Sequence, residues 1–278
     1  LQDETFAGGV RLGWYDYGWR FYDPVILRFS TQDRFAEKYC DLNPYQYEAN
    51  NPILFVDVNG DSIWVNSGGQ SYYYGYTEKF GYGMYDKSGQ LYMGNDKTLN
   101  AVNGALARLS LGKEGKALVD QLAGSSQNID FKITNGKNQA VFAGKSMSIE
   151  WNPNSTALIP TQKGGQVSES FISLGHEMGH VQDVLNHTYN GNTWQTITDE
   201  NTGKSFDIPN TELYSTHVEN KLRAENGFPL RTYYGAYTDG SGISQTRLIK
   251  GNASLYIQLN GTTNYQKVTN KLLRYVYK

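Results

Sequence analysis

Cysteine is almost absent from this chain. Cys40 stands alone, which excludes an intramolecular disulfide and any zinc site built on thiolates. An excess of one charge is lacking too: 25 basic against 27 acidic side chains leave a formal net charge of -2 and a pI near 6.1. That balance argues against a general nucleic-acid or membrane-surface binder. No stretch approaches the roughly 20 consecutive apolar residues of a membrane-spanning helix. Charged residues make up only 19% of the chain and aromatics 14%, which is too little charge and too much ring surface for intrinsic disorder. What is abundant is glycine and tyrosine, 30 and 22 residues, a composition of strands and tight turns. With 278 residues there is room for one large domain or two modest ones. The sequence opens on Leu1 rather than methionine, so the expectation is a processed or truncated chain with any signal segment out of view.

Periodicity divides the chain. Residues 1–62 read as short strands and turns, with aromatic and polar positions alternating from Gly13 to the Asp23-Pro24 stop. Residues 63–97 carry Gly/Ser/Tyr-rich segments that predict β-hairpins opening a second domain, 63–278. From Thr98 to Ala123 the period changes: Leu99, Val102, Leu106 and Leu109 fit one amphipathic helix, and Ala117, Leu118, Gln121 and Leu122 a second. Strands are expected at Ile129–Ile133 and Ser146–Trp151, and another helix from Thr211 to Asn226, stopped by Gly227 and Pro229. The tail, 236–278, reads as β from Ser244 onward, with a hairpin at Asn260-Gly261. The fold class expected is α+β.

The decisive pattern is His176-Glu177-Met178-Gly179-His180. On a helix, residues four apart share a face, so both imidazoles can hold one Zn2+ ion while Glu177 sits beside it as the base that activates water. Phe171, Ile172 and Leu174 before the motif, and Val181, Val184 and Leu185 after it, supply the buried stripe of such a helix. A catalytic zinc usually has three protein ligands and one water, so a third donor is needed. Glu219, on the Thr211–Asn226 helix, is the choice; His217, Glu212 and Asp183 compete, and Asp183 can instead accept a hydrogen bond from a ligating histidine. Tyr233 or Tyr234 is the candidate donor to a developing oxyanion, with Tyr233 preferred. The strand containing Ile149 and Trp151 is expected either to offer an edge to an extended substrate or to be an ordinary core strand; Arg223 and Arg231 are expected to pair with carboxylates near the site or else to bind a substrate acid, with Arg231 the candidate for substrate. His187 is expected to cap or flank a helix end.

Two resemblances extend this reading. Tyr15-Asp16-Tyr17-Gly18, Arg20, Tyr22-Asp23-Pro24, Arg28-Phe29, Asp33, Asn43-Pro44-Tyr45, Tyr47, Asn50-Asn51-Pro52 and Asp57-Val58-Asn59-Gly60 resemble the end of the core repeat of RHS proteins, over about residues 10–62. That family forms a β-shell around a toxic cargo, and two Asp-Pro-x-Gly motifs can free the cargo by self-cleavage. Asp33 and Asp57 fall at the two aspartates, but Arg34-Phe35-Ala36 lacks the proline and glycine and Val58-Asn59-Gly60 lacks the proline, so a structural remnant is expected. The second block comprises Gly115-Lys116-Ala117-Leu118, Ile149-Glu150-Trp151-Asn152-Pro153-Asn154, the His176–His180 motif, Glu219-Asn220 with Arg223, and Arg231-Thr232-Tyr233-Tyr234. It is similar to the NleD-type effector metallopeptidases over about residues 98–235. The resemblance implies a zincin-like endopeptidase of the gluzincin kind, with His176, His180 and Glu219 as ligands and Glu177 as base, acting on proteins of a target cell.

The resulting expectation is a zinc-dependent, secreted or exported effector peptidase behind an RHS-like remnant. Its partners would be a protein or peptide substrate and an immunity protein, with no nucleic acid and no membrane span. The rivals are a β-rich surface or carbohydrate-binding protein with a structural or lost metal site, and a metal-dependent nuclease toxin.

Overall fold

The computed structural model describes residues 15–16, 21–23, 25–26, 28–31, 63–77, 79–125, 127–144, 146–198, 203–258 and 265–278. Two compact units divide between Val58 and Asn59. In the first, β1 (Tyr15–Asp16), β2 (Phe21–Asp23) and β3 (Arg28–Phe29) form an antiparallel three-stranded meander. The Asp23 carboxylate accepts the Val25 N–H at 2.8 Å and so shapes the β2–β3 turn, as short polar side chains do at turn starts. Most of the RHS-like positions, Asp33 and Asp57 included, lie outside the described residues.

The second unit is built on a six-stranded mixed sheet. Its strands are β4 (Ile63–Ser67), β5 (Gln70–Thr77), β6 (Gly81–Asp86), β7 (Ile129–Ile133), β8 (Gln139–Ala143) and β9 (Ser146–Trp151), in the order β6-β5-β4-β7-β9-β8. Only β4–β7 and β7–β9 run parallel. Alternation puts Ile63, Val65, Ile129, Phe131, Met147 and Ile149 on the buried face. Helices α1 (Lys97–Leu109) and α2 (Lys113–Ala123) cover that face, α1 burying the expected Leu99, Val102, Leu106 and Leu109. In α2 the buried stripe is Gly115, Leu118, Val119 and Leu122; Ala117 points to solvent, one position off the expected phase.

Helix α3 (Ser170–Leu185) carries the histidine motif through the centre of this unit, packed on α1, α2, the β8–β9 strands and α4 (Thr211–Glu225). Burial on several sides explains why α3 carries apolar residues around most of its circumference, with polar Ser170, Ser173, Gln182 and Asp183 near its ends. A hairpin of β12 (Thr193–Thr198) and β13 (Ser205–Pro209) joins α3 to α4, and another of β10 (Leu158–Thr161) and β11 (Gly164–Val167) precedes α3. After α4 the chain turns at Gly227, φ 72°, where the Phe228 and Gly227 N–H groups reach back to Arg223 and Ala224 carbonyls. His187, φ 58°, makes the same closure at the end of α3, with Thr188 and His187 N–H groups bonded to Asp183 and Val184. The tail forms short pairs, β14 (Ile249–Lys250) with β15 (Ala253–Ser254) and β16 (Tyr256–Gln258) with β17 (Tyr265–Lys267). Leu248, Ile249 and Tyr277 in this tail bury Leu213 of α4 in a second apolar cluster.

The closeness of α3 and α4 rests on two glycines one turn apart. A Cβ at Gly175 would run into the buried Leu222 Cδ1, and one at Gly179 would lie 3.1 Å from Ser215 Cα. Gly179→Val therefore has to push the helices apart. It is expected to cost about 1–3 kcal/mol, read as a thermal midpoint lower by about 2–4 °C for each kcal/mol. An unchanged midpoint would show that the helix contact yields without cost.

Candidate metal centre

The spacing of the motif places His176 and His180 on the α4 side of α3, ring centroids 5.2 Å apart. Opposite them, Glu212 sits in the first turn of α4. Its Oε2 lies 3.2 Å from His176 Nε2 and 3.3 Å from His180 Nε2, so two imidazole nitrogens and one carboxylate oxygen converge, all within 4.8 Å of one another. The other nitrogen of each ring is held from behind. His176 Nδ1 lies 3.0 Å from Glu219 Oε2, and His180 Nδ1 lies 3.1 Å from Thr211 Oγ1, which in turn donates to Asp183 Oδ2 at 2.9 Å.

Glu219, two helical turns beyond Glu212 and hence on the same face, is almost fully buried, 2% exposed. Burial alone would drive it neutral. The Arg231 and Arg223 guanidinium groups outweigh that and hold it well below the usual carboxylate range. Arg223 Nε donates to its Oε1 at 2.8 Å and Arg231 Nη1 to its Oε2 at 2.9 Å. Burial also opposes a proton on His176, but the hydrogen bonds to Glu212 and Glu219 prevail and raise its pKa to about 10. Burial likewise opposes charge on Glu212, and the two imidazoles overcome it to hold Glu212 low. The site thus favours positive charge on the Nε2 side of the histidines.

Glu177 faces the cleft beside them. Burial raises its pKa, while positive charge on His176 and His180 and the backbone N–H of Ala140, on β8, lower it. The cleft, about 190 Å3, is bordered by Glu177, Tyr234, Asn138, Asn152, Ser155 and Ser173. The Tyr234 phenol is pushed up by burial and by the negative charge and hydrogen bond of Glu212.

Several expected residues are placed differently. Glu219 lies on the Nδ1 side of His176, outside the converging donor group, which Glu212 completes. Tyr233 is turned away: its carbonyl takes the Arg231 Nε–H and its ring lies under Arg247, whereas Tyr234 reaches the cleft. Ile149 and Trp151 belong to β9, which is paired on both sides by β7 and β8; they are core residues, and the edge strand at this end of the sheet is β8. Arg231 borders the cleft, yet its donors go to Glu219 and to the Tyr233 and Tyr234 carbonyls, which leaves it a structural tie. His217 points out of the far side of α4, with Nδ1 2.8 Å from the Tyr277 hydroxyl. Thr211 and the Ala140 amide were missed. The Asn210-Thr211 pair reads only as a helix start, and an amide hydrogen bond leaves no mark in sequence.

The comparison with known proteins bears directly on this geometry. The Peptidase M91 family model, described as an effector protein, matches residues 86–234, more than half of the chain and all of the site from α3 to Tyr234. The chain belongs to the Peptidase M91 effector family. No curated protein and no solved structure matches it. The match does not extend to the RHS-like segment. As an M91 peptidase it acts on protein substrates, and the converging donors lie within the matched region. Among its described residues no helix is long and apolar enough to cross a membrane.

Away from the site, burial and the Lys221 charge depress the His217 pKa from 6.5 to about 4. Because the folded value lies below the unfolded one, the unfolded chain binds the extra proton, and stability is lost as pH falls from 6.5 towards 4. In His217→Gln, the drop in denaturant-measured stability across that window should be shallower by up to about 3 kcal/mol. An identical slope in both proteins would remove His217 from the acid response.

Proposed function

We propose that this M91 effector is a zinc-dependent endopeptidase whose ligands are His176, His180 and Glu212. The observation that carries the reading is the convergence of both Nε2 atoms on one carboxylate beside an open cleft. The donor chemistry fits: two imidazoles and one carboxylate, with room for water or substrate, make up a catalytic zinc site, and each ligating ring is backed by an acceptor at its other nitrogen. Glu219 therefore orients His176, in place of the ligand role expected from sequence.

When bound, the ion supplies Lewis acidity, lowering the pKa of water towards neutrality and polarising the scissile carbonyl. The chain's own groups do the rest. Glu177 takes the proton from the attacking water and later hands it to the leaving amine, a role suited to a carboxylate that burial makes a better base than an exposed one. Tyr234, protonated at neutral pH, donates to the oxygen that gains negative charge. The edge strand β8 aligns an extended substrate by main-chain hydrogen bonds, beside the Ala140 amide that steadies Glu177. Effector membership supports delivery towards a target cell, with the RHS-like segment as a remnant of the carrier and an immunity protein as the natural antagonist.

Two measurements test the roles. Glu177→Gln should retain one zinc per chain by metal analysis while peptide cleavage falls by about 10²–10⁴-fold; cleavage near the wild-type rate would discard Glu177 as base. Glu212→Ala should abolish stoichiometric zinc, whereas Glu219→Gln should weaken it only about 10–100-fold. The reverse ranking would return the third ligand to Glu219.

A further inference from the structure

We infer that Asp183, acting through the Thr211 hydroxyl, is the positioning residue that fixes the tautomer and ring plane of His180. The inference rests on the zinc reading above and names what holds its second ligand. Asp183 lies one turn past His180 on α3 and is 1% exposed. Both of its oxygens accept: Oδ1 takes the Thr188 hydroxyl at 2.6 Å and Oδ2 the Thr211 hydroxyl at 2.9 Å. A threonine hydroxyl has a single proton. With that proton given to Asp183, Thr211 Oγ1 has only lone pairs left for His180 Nδ1, 3.1 Å away. His180 must then carry its proton on Nδ1, and its Nε2 lone pair is turned to the side where Glu212 and His176 Nε2 converge.

The two histidines are therefore backed unequally. His176 leans directly on a carboxylate that two arginines pin in place; His180 leans on a neutral hydroxyl whose direction a carboxylate sets. Among the described residues, neither arginine nor lysine pairs with Asp183, whose side chain is held by the two threonine hydroxyls. A buried carboxylate held only by two hydroxyls is a poor device for stability. It is a good one for direction, because it can accept from Thr211 and never donate to it. The relay also joins the last turn of α3 to the first residue of α4, next to Glu212, so ligand and relay share one anchor.

Asp183→Asn removes the obligate acceptor and, with its amide nitrogen turned to Thr211, inverts the relay. Its amide would donate to Thr211, whose proton would then face His180 Nδ1 and demand the wrong tautomer. Zinc affinity, measured by competition with a chromophoric chelator, should fall about 10–100-fold in Asp183→Asn and in Thr211→Val. Thr211→Ser, which keeps the hydroxyl, should stay within about threefold of wild type on the same physical ground. Circular dichroism establishes that each variant is folded. Wild-type affinity in folded Asp183→Asn and Thr211→Val would overturn the relay, whereas a wild-type chain that binds no zinc would overturn the metal reading itself. Should the variants fail to fold, the wild-type protein decides: loaded with Zn2+, it should show a slowly exchanging His180 Nδ1–H by 15N-resolved NMR, and its absence sinks the proposal.

Discussion

The buried carboxylate of Glu219 is the node on which the site depends. It receives His176 from α3, Arg223 from its own helix and Arg231 from the segment after α4, all at 3.0 Å or less. Arg223 reaches on to Ser168, just before α3, and to the Pro229 carbonyl. One charge thus ties the start of α3, its middle, α4 and the returning chain. A carboxylate so deeply buried is costly unless its oxygens are hydrogen-bonded, and here three charged or ring N–H partners serve them. Removing either arginine would leave a buried charge short of its partner, a larger loss than the pair contributes while intact.

Neighbouring residues extend the same tie along the backbone. Asn220 donates to the Arg231 carbonyl and accepts the Arg231 N–H, at 3.0 and 2.7 Å, as a β-strand neighbour would. On the other side of that segment, Gln162 N–H bonds to the Leu230 carbonyl and Thr232 N–H to the Pro160 carbonyl. The Arg231-Thr232-Tyr233-Tyr234 segment is therefore held by side chain on one edge and hairpin on the other, and Tyr234 is delivered to the cleft as a consequence. The Glu-Asn-x-x-Arg and Arg-Thr-Tyr blocks have a physical reason to occur together: Glu219 takes the guanidinium while Asn220 takes the main chain of the same arginine.

What the sequence revealed follows from which distances are set locally. The four-residue spacing of His176 and His180 fixes their shared face, and period-two alternation marked β7 and β9 to the residue. The choice between Glu212 and Glu219 was not legible. The two are seven residues apart on one helix face, so both point at α3, and which ring nitrogen each meets depends on the register of α3 against α4. Tyr233 and Tyr234 differ only in parity along an extended segment, and the strap through Asn220 sets that parity. Alternation in β9 showed which face is buried but carries no information about its edges. Its neighbour β8 is partly buried at its three central residues and exposed at both ends, so it has little alternation to read.

Charge balance explains why so many acids are gathered around this helix pair. Glu177, Glu212, Glu219 and Asp183 face two guanidinium groups, those of Arg223 and Arg231. With both imidazoles neutral and all four carboxyl groups ionised, two negative charges would stand uncompensated in a poorly hydrated interior, and burial answers this in part by raising the pKa of Glu177 and Asp183. The elevated pKa of His176 is the partial answer of the chain alone, since one proton cancels half of that excess. A divalent cation on the Nε2 side would cancel all of it and free both rings to act as neutral ligands. On the proposed zinc reading the same balance favours a 2+ ion over a 1+ ion, and such an ion would supply, at the far end of the Thr211–His180 relay, the positive charge that no lysine or arginine among the described residues gives Asp183.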